Sequence, residues 1–415
     1  VNLMKLNKKI LFPVVFTVFI AAVILIYVFS HKNKEAEIAI NYDKLNVGET
    51  EGDDVSQNYW NTDESHMVAA AENGYYFMTN TGSYIMYFDI ESNEVIPVCA
   101  KADCAHNTKS CNAYVGDEKK VSGIYYYQGY LYYMPVKNGM AVLTRMDSSG
   151  GDRKEIAELI PNEGNNNFIQ LMFHGDCVYV YDCLSHIHSN EEYTEHIWEV
   201  SLNDGSKRSI YEIAGVNLTI KNVKSFGDKL FFMVQQSWEE KKDDETGIAR
   251  AKSLGVFAYD YNTDTVETIS ENNIYDYYIV PEESRFYYFV TGSGLYVSDL
   301  SAGDEKLLMK STDTMDMCNL SYDGKYLYVT NAKWMSYLTF VLDRDETKCL
   351  VMTLDGEIVN EIECTDFLAL YFGDGRYMFA EIPEQNGFVC IDKSAIETAK
   401  EWTSVSETVI DLIDR

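Results

Sequence analysis

The segment Gly129-Tyr-Leu-Tyr-Tyr133, followed by Arg145-Met-Asp-Ser-Ser-Gly150, is the clearest indication of the fold. Its first part is a tight turn that opens a strand of aromatic residues, which favour β-structure. Its second part is an apolar-x-Asp pattern typical of a hairpin turn. The glycine at position 129 supplies the positive φ that such a turn needs. Together the two parts predict antiparallel strands joined by short turns.

Both parts of this signature recur seven times after Asp63. The copies of the first are Gly74–Phe77, Gly129–Tyr133, Gly175–Val180, Gly227–Phe232, Ser284–Tyr288, Gly324–Tyr328 and Gly375–Phe379. The copies of the second are Phe88–Asn93, Arg145–Gly150, Val200–Gly205, Tyr259–Asn262, Val297–Leu300, Val351–Gly356 and Cys390–Asp392. From Asp89 to Asp392 there are 303 residues over six intervals, about fifty per repeat, which matches a four-stranded propeller blade.

We therefore predict an all-β fold, a seven-bladed β-propeller over residues 63–393. A regular two-part repeat favours radial repetition because one four-stranded blade cannot bury both of its faces without neighbours. The alternatives are a propeller of six or eight blades and a β-sandwich, whose turns also recur at short intervals.

The Gly-x-Leu-Tyr-Tyr strands and the Leu/Met-Asp-x-x-Gly hairpins resemble bacterial extracytoplasmic propellers of unknown function. Those proteins are similar to the YWTD propellers of low-density lipoprotein receptors. The resemblance covers roughly residues 63–393, and it implies a protein-binding scaffold in place of an enzyme. This chain departs from the receptor pattern because it has no literal Tyr-Trp-Thr-Asp repeat.

Residues 10–29 form an uncharged run of twenty, preceded by three lysines and followed by His31, Lys32 and Lys34. At ~1.5 Å per residue a helix of this length spans roughly 30 Å, the hydrocarbon thickness of a bilayer. We predict a transmembrane signal-anchor helix over residues 10–30, with residues 1–9 in the cytoplasm and the remainder outside the cell membrane. The alternative is a cleavable signal peptide.

The two segments that flank the repeats have different patterns. Residues 31–62 are polar and acidic, so we predict a linker there. Residues 394–415 carry apolar side chains mostly three or four positions apart, which predicts an amphipathic helix. These apolar residues are Ile396, Trp402, Val405, Val409, Leu412 and Ile413.

The charge of the chain restricts its partners. The sequence has 34 Lys and Arg against 65 Asp and Glu. Five of the lysines precede residue 35, so residues 35–415 carry 29 basic and 65 acidic side chains, a net charge of −36. A field of this sign repels phosphate backbones and favours cations, basic proteins or neutral ligands such as glycans. Nucleic acid is therefore excluded as a partner.

The most specific local motif is Cys99-x4-Cys104-x-His106-x4-Cys111. Three thiols and one imidazole within 13 residues can close a tetrahedral Cys₃His site, so we predict these four residues as metal ligands and zinc as a structural cofactor. Two alternatives remain. In an oxidising environment two of the cysteines would form a disulfide, and otherwise all three would be free thiols.

No catalytic residues can be assigned, because the nucleophile-elbow, zinc-protease and phosphate-loop motifs do not occur in the sequence. The leading hypothesis is a membrane-anchored, extracytoplasmic binding or scaffold protein that presents the propeller to a protein or glycan. The main alternative is an extracytoplasmic glycan lyase or hydrolase that uses acidic residues at the propeller channel. A third hypothesis is a sensor or a subunit of a secretion assembly.

Overall fold

The fold is known from a computed structural model, which describes residues 39–48, 56–59, 66–78, 84–116, 121–161, 169–183, 191–240, 248–301, 303–331, 347–364, 367, 369–382 and 387–405. The strands formed by these residues make up seven four-stranded antiparallel sheets, and each sheet is built from four consecutive strands. The predicted seven-bladed β-propeller is thus confirmed.

The strand bounds of the seven blades are as follows. Blade 1 contains β1 (Val68–Ala71), β2 (Gly74–Phe77), β3 (Met86–Asp89) and β4 (Glu94–Pro97). Blade 2 contains β5 (Val121–Tyr127), β6 (Tyr130–Lys137), β7 (Met140–Met146) and β8 (Lys154–Pro161). Blade 3 contains β9 (Ile169–His174), β10 (Cys177–Asp182), β11 (Glu192–Ser201) and β12 (Lys207–Val216). Blade 4 contains β13 (Leu218–Phe226), β14 (Lys229–Glu240), β15 (Ile248–Asp260) and β16 (Thr265–Ser270).

The remaining three blades follow the same order. Blade 5 contains β17 (Ile274–Val280), β18 (Arg285–Val290), β19 (Gly294–Asp299) and β20 (Lys306–Lys310). Blade 6 contains β21 (Asn319–Tyr322), β22 (Leu327–Thr330), β23 (Lys348–Met352) and β24 (Ile358–Glu363). Blade 7 contains β25 (Ala369–Tyr371), β26 (Tyr377–Ile382), β27 (Gly387–Asp392) and β28 (Thr403–Ser404).

Both parts of the repeat signature correspond to fixed places in the blade. Each copy of the first part lies at the start of the second strand, as Gly74–Phe77 does in β2. Each copy of the second part lies at the turn between the third and fourth strands, as Arg145–Gly150 does between β7 and β8. The first strands of blades 1 to 6 contact one another in succession, so they line the centre of the ring.

The ring closes between blade 7 and blade 1. Tyr371 and Phe379 of blade 7 belong to one core cluster with Tyr75 of blade 1. The Tyr75 hydroxyl donates to Asp374 at 2.7 Å. Arg376 donates to the Ala71 carbonyl at 3.0 Å across 305 positions of sequence. Apolar packing and the hydrogen bond from the Arg376 guanidinium group therefore join blade 7 to blade 1.

A buried ion pair lies at the inner strands of blades 4, 5 and 6. Lys224 Nζ is 3.2 Å from Asp276 Oδ1, and the two side chains are 1% and 0% exposed. The Asp276 carboxylate also accepts from the amides of Tyr277 and Leu320, both at 2.7 Å. Because Leu320 belongs to β21, this carboxylate connects the inner strands of three blades.

The C-terminal segment differs from the predicted amphipathic helix. Residues 394–405 contain part of a 3-10 turn (Lys393–Ala395) and strand β28. Ile396 packs in the core of blades 6 and 7, and the Trp402 indole donates to the Glu363 carbonyl at 3.2 Å. The prediction was wrong here because β28 pairs with β27 as the fourth strand of blade 7. Residues 406–415 lie outside the described residues.

The structure describes part of the predicted linker but none of the predicted transmembrane helix. The predicted transmembrane segment, residues 10–30, lies outside the described residues. No helix among the residues that are described has the length and apolar character needed to span a membrane. Within the predicted linker, residues 41–45 pack on blade 4: the Asn41 amide donates to the Ile269 carbonyl, and Leu45 is buried.

Candidate functional site

The motif Cys99 to Cys111 lies in the connection between β4 of blade 1 and β5 of blade 2. Short turns fold this connection back on itself, as shown by the Cys104 amide, which donates to Lys101, and the Cys111 amide, which donates to Thr108. His106 has a φ of +56°, in the left-handed region that few non-glycine residues adopt. The turns bring side chains from both ends of the motif to one point.

All four predicted ligand residues meet at that point. The thiols of Cys99, Cys104 and Cys111 and a ring nitrogen of His106 lie within 4.8 Å of one another. His106 Nδ1 is 3.4 Å from Cys111 Sγ. All nine cysteines of the chain are described, and the structure contains no disulfide between them. The structure therefore brings together all four residues that the sequence predicts as metal ligands.

Burial and amide hydrogen bonds give the thiols different acidities. Burial raises the pKa of Cys111 to about 12. Burial also acts to raise the pKa of Cys99, but hydrogen bonds from the backbone amides of Lys101 and Asn112 and from the thiols of Cys104 and Cys111 together lower that pKa.

The loop is fixed to both neighbouring blades. On the blade 1 side, the Ile85 amide donates to the Ala113 carbonyl at 2.9 Å. On the blade 2 side, the Ala100 amide donates to Ser149 in the β7–β8 turn, and Arg153 Nη1 donates to the Tyr114 carbonyl at 2.8 Å. The loop therefore bridges the junction of the two blades.

Gly150, in the β7–β8 turn, should be intolerant of any side chain. A Cβ at this position would lie 2.3 Å from the Val98 carbonyl oxygen, at a φ of +78°. We expect Gly150→Ala to lower the free energy of unfolding by about 2–3 kcal/mol through overpacking and left-handed strain, measured by urea denaturation. Gly139→Ala is the matched control, since Gly139 has the same φ with no atom within 4 Å. Equal losses for the two variants would show that the close approach to Val98 is unimportant.

A cleft of about 290 Å³ lies between blades 2 and 3. Its blade 2 wall is apolar, and its blade 3 wall contains both polar and aromatic side chains. Trp198 and His196 stack with ring centroids 4.6 Å apart. Lys207 Nζ lies 4.7 Å from the Trp198 ring centroid and donates to the Leu159 carbonyl. Burial lowers the pKa of Lys207.

The remaining lining residues add polar groups to the cleft. They include Asp182, Tyr193, Thr194 and Glu195 of blade 3, opposite Met140, Ile160 and Pro161 of blade 2. Sequence reasoning missed this feature, because the two walls come from separate repeats and no local motif marks them.

One end of the central channel is occupied by residues 56–59 of the predicted linker. The Gln57 amide group donates to the Phe173 carbonyl at 3.0 Å and accepts from the Phe173 amide at 2.7 Å. Asn58 makes the same pair of hydrogen bonds with Ser225, at 2.6 and 3.1 Å. Ser321 of blade 6 donates to the Tyr59 carbonyl at 3.1 Å. The segment thus contacts the inner strands of blades 3, 4 and 6.

Three of the acidic side chains near residues 56–59 have structural partners. Asp323 accepts from Lys393 Nζ at 3.1 Å and from the Tyr328 hydroxyl at 2.6 Å. Asp374 accepts from the Tyr75 hydroxyl, and Asp276 belongs to the buried ion pair. These three carboxylates therefore hold turns and blades together.

Comparisons with known proteins give matches of structure only. No protein-family model matches the chain, and no curated protein matches it. The structure of the Dos1 propeller matches at 9% identity and a TM-score of 0.42, over 89% of this chain and 88% of that chain. The crystal structure of a nidogen/laminin complex matches at 13% identity and a TM-score of 0.38, over 66% of this chain and 90% of that chain.

A further match is TolB from Acinetobacter baumannii, at 10% identity and a TM-score of 0.37. It covers 69% of this chain and 61% of the TolB chain, so the match spans less than two thirds of that relative. Similarity at this level concerns the propeller fold and carries no argument about activity or partners.

Proposed function

We propose that this chain is a membrane-anchored, extracytoplasmic binding protein whose propeller presents a surface to a protein or glycan ligand. Residues 10–30 anchor it, residues 1–9 lie in the cytoplasm, and the propeller lies on the outer side of the membrane. The uncharged run of twenty residues between lysines supports the anchor. The likeness of the strand and hairpin repeats to extracytoplasmic propellers supports a scaffold role.

The observation that carries the binding role is the cleft between blades 2 and 3. Its volume of about 290 Å³ lies just below the range for small-ligand sites, ~300–1,000 Å³. A stacked Trp198–His196 pair beside hydroxyl, carboxylate and ammonium groups suits a sugar ring or a short peptide segment. The net charge of −36 on residues 35–415 favours a ligand that is neutral or cationic.

The binding role is tested with the full chain purified in detergent, probed against an array of cell-envelope glycans and a panel of purified envelope proteins. Thr194 lines the cleft and is exposed, so Thr194→Trp fills the space without removing a core contact. We expect this variant to weaken binding at least ten-fold, whereas Thr265→Trp, on an exposed position of blade 4, leaves it unchanged. Retention of neither ligand class, or equal binding by both variants, would contradict the proposal.

Anchoring and orientation are tested separately in intact cells. Protease added outside should digest the propeller while the N-terminal segment stays with the membrane fraction. A propeller protected until the cells are lysed, or a chain released into the soluble fraction, would contradict this part of the proposal.

A further inference from the structure

We propose that Cys99, Cys104, His106 and Cys111 bind one zinc ion as a closed structural centre that fastens blade 1 to blade 2. Three thiols and one imidazole are a ligand set that suits Zn²⁺, and four protein ligands leave no open position for a substrate. The role of the ion is therefore structural.

The distances between the ligand atoms fit this proposal. A tetrahedral site with Zn–S bonds of ~2.3 Å and a Zn–N bond of ~2.0 Å has edges of roughly 3.5–3.8 Å. His106 Nδ1 and Cys111 Sγ are 3.4 Å apart, and all four ligand atoms lie within 4.8 Å of one another. Small side-chain adjustments bring the four atoms to bonding distance of a common centre.

Backbone amides around the cluster are arranged as a second layer of support. The Ala113 amide donates to Cys111 Sγ at 3.4 Å, and the Lys101 amide donates to the Cys99 sulfur. In both cases the donor lies two residues after the cysteine. Such N–H to sulfur bonds stabilise thiolates and orient them toward a metal.

Cations lie close to the loop and offset the charge of the centre. When zinc binds, the three thiols lose their protons, so the ion with three thiolates carries a net charge of −1. Lys101 Nζ lies 2.5 Å from the Ser110 carbonyl, and Arg153 donates to the carbonyls of Asn112 and Tyr114. Lys101 and Arg153 thus supply positive charge at the loop, in a domain that has an excess of negative charge.

The two other states of the cluster explain less of the geometry. A disulfide would use two of the three sulfurs and would leave the third thiol and His106 directed at the same point without a function. Free thiols would give no reason for His106 to adopt a left-handed backbone conformation. Metal binding uses all four side chains.

The proposal is tested by elemental analysis of the full chain, purified with reductant and without chelator. We expect close to one zinc ion per chain, with a content near zero for Cys104→Ser and for His106→Gln. Cys177→Ser is the matched control, since Cys177 is a partly buried cysteine of blade 3 outside the cluster. Replacing zinc with Co²⁺ should give the visible bands of tetrahedral cobalt and a thiolate charge-transfer band, both absent in the two cluster variants.

The zinc content of the unmodified chain tests the proposal whether or not the variants fold. A folded chain without metal overturns the proposal, whether mass spectrometry finds a disulfide within the cluster or thiol titration finds three reactive cysteines. Zinc that persists in both cluster variants overturns the assignment of the ligands.

Discussion

Asp276→Ala is expected to lower the free energy of unfolding by about 3–5 kcal/mol, because it leaves the Lys224 ammonium buried without a counter-charge. The Asp276 side chain is fully buried, and its carboxylate accepts from Lys224 and from two backbone amides. Removing it also removes the two hydrogen bonds that the carboxylate accepts from the amides of Tyr277 and Leu320. Urea denaturation followed by tyrosine fluorescence and circular dichroism measures the loss.

The pair Lys348–Glu361 is a matched control, since its N–O distance is also 3.2 Å but its side chains are 31% and 51% exposed. Glu361→Ala should cost less than about 1 kcal/mol. The double variant Lys224→Met with Asp276→Asn should lose less than the sum of its single variants, because neither charge remains. A loss below about 1 kcal/mol for Asp276→Ala would refute the account of this ion pair.

His66 should make the propeller sensitive to acid below neutral pH. Its imidazole stacks on Tyr125 at 4.2 Å, and burial lowers its pKa from 6.5 to about 3. Lys224 lines the same small cavity of about 30 Å³, together with the neutral side chains of Gln57 and Asn58. A proton on the imidazole would therefore bring a second positive charge into a nearly closed space.

Acid destabilises the folded chain because the pKa of His66 is lower in the folded state than in the unfolded state. The unfolded chain takes up a proton at His66 below pH 6.5, whereas the folded chain stays neutral there until about pH 3. The stability contributed by the neutral ring is complete above pH 6.5 and is lost as the pH falls toward 3. Between pH 7 and about pH 4.5 the loss should be about 2–3 kcal/mol.

His66→Phe keeps a ring against Tyr125 and removes the titrating group. We expect the variant to lose about 2–3 kcal/mol less than the unmodified chain when the pH is lowered from 7 to about 4.5. Urea denaturation of both proteins at the two pH values measures this difference. Parallel losses in the two proteins would show that His66 does not cause the acid sensitivity.

The repeated parts of the fold could be predicted from sequence because they depend on local chemistry. A glycine turn and an aromatic strand form β2, β6 and their counterparts, and each copy was found without knowledge of the neighbouring blades. The first strand of each blade carries no such signature, because its position depends on contacts with neighbouring strands and not on a local sequence motif. The proximity of the three cysteines and His106 was also predictable, because the motif from Cys99 to Cys111 spans only thirteen residues and turns within it bring the two ends together.

The missed features depend on contacts between distant residues. Gln57 and Asn58 form hydrogen bonds with the backbone of Phe173 and Ser225. Every residue has these backbone groups, so no sequence pattern marks the two positions as partners. The cleft joins residues of blades 2 and 3 that meet only after the ring forms. At the C-terminus, Ile396 and Trp402 fit a helical spacing, but the open edge of blade 7 imposed a strand.

The way the ring closes has a consequence for how the protein is made. Every sheet consists of consecutive strands, so each can form during synthesis soon after its last strand leaves the ribosome. The contact of Arg376 with Ala71, across 305 positions, must wait until the seventh sheet has been translated. Until then the first sheet keeps an apolar face open to water, and this early sheet is the one most in need of protection from aggregation in the growing chain.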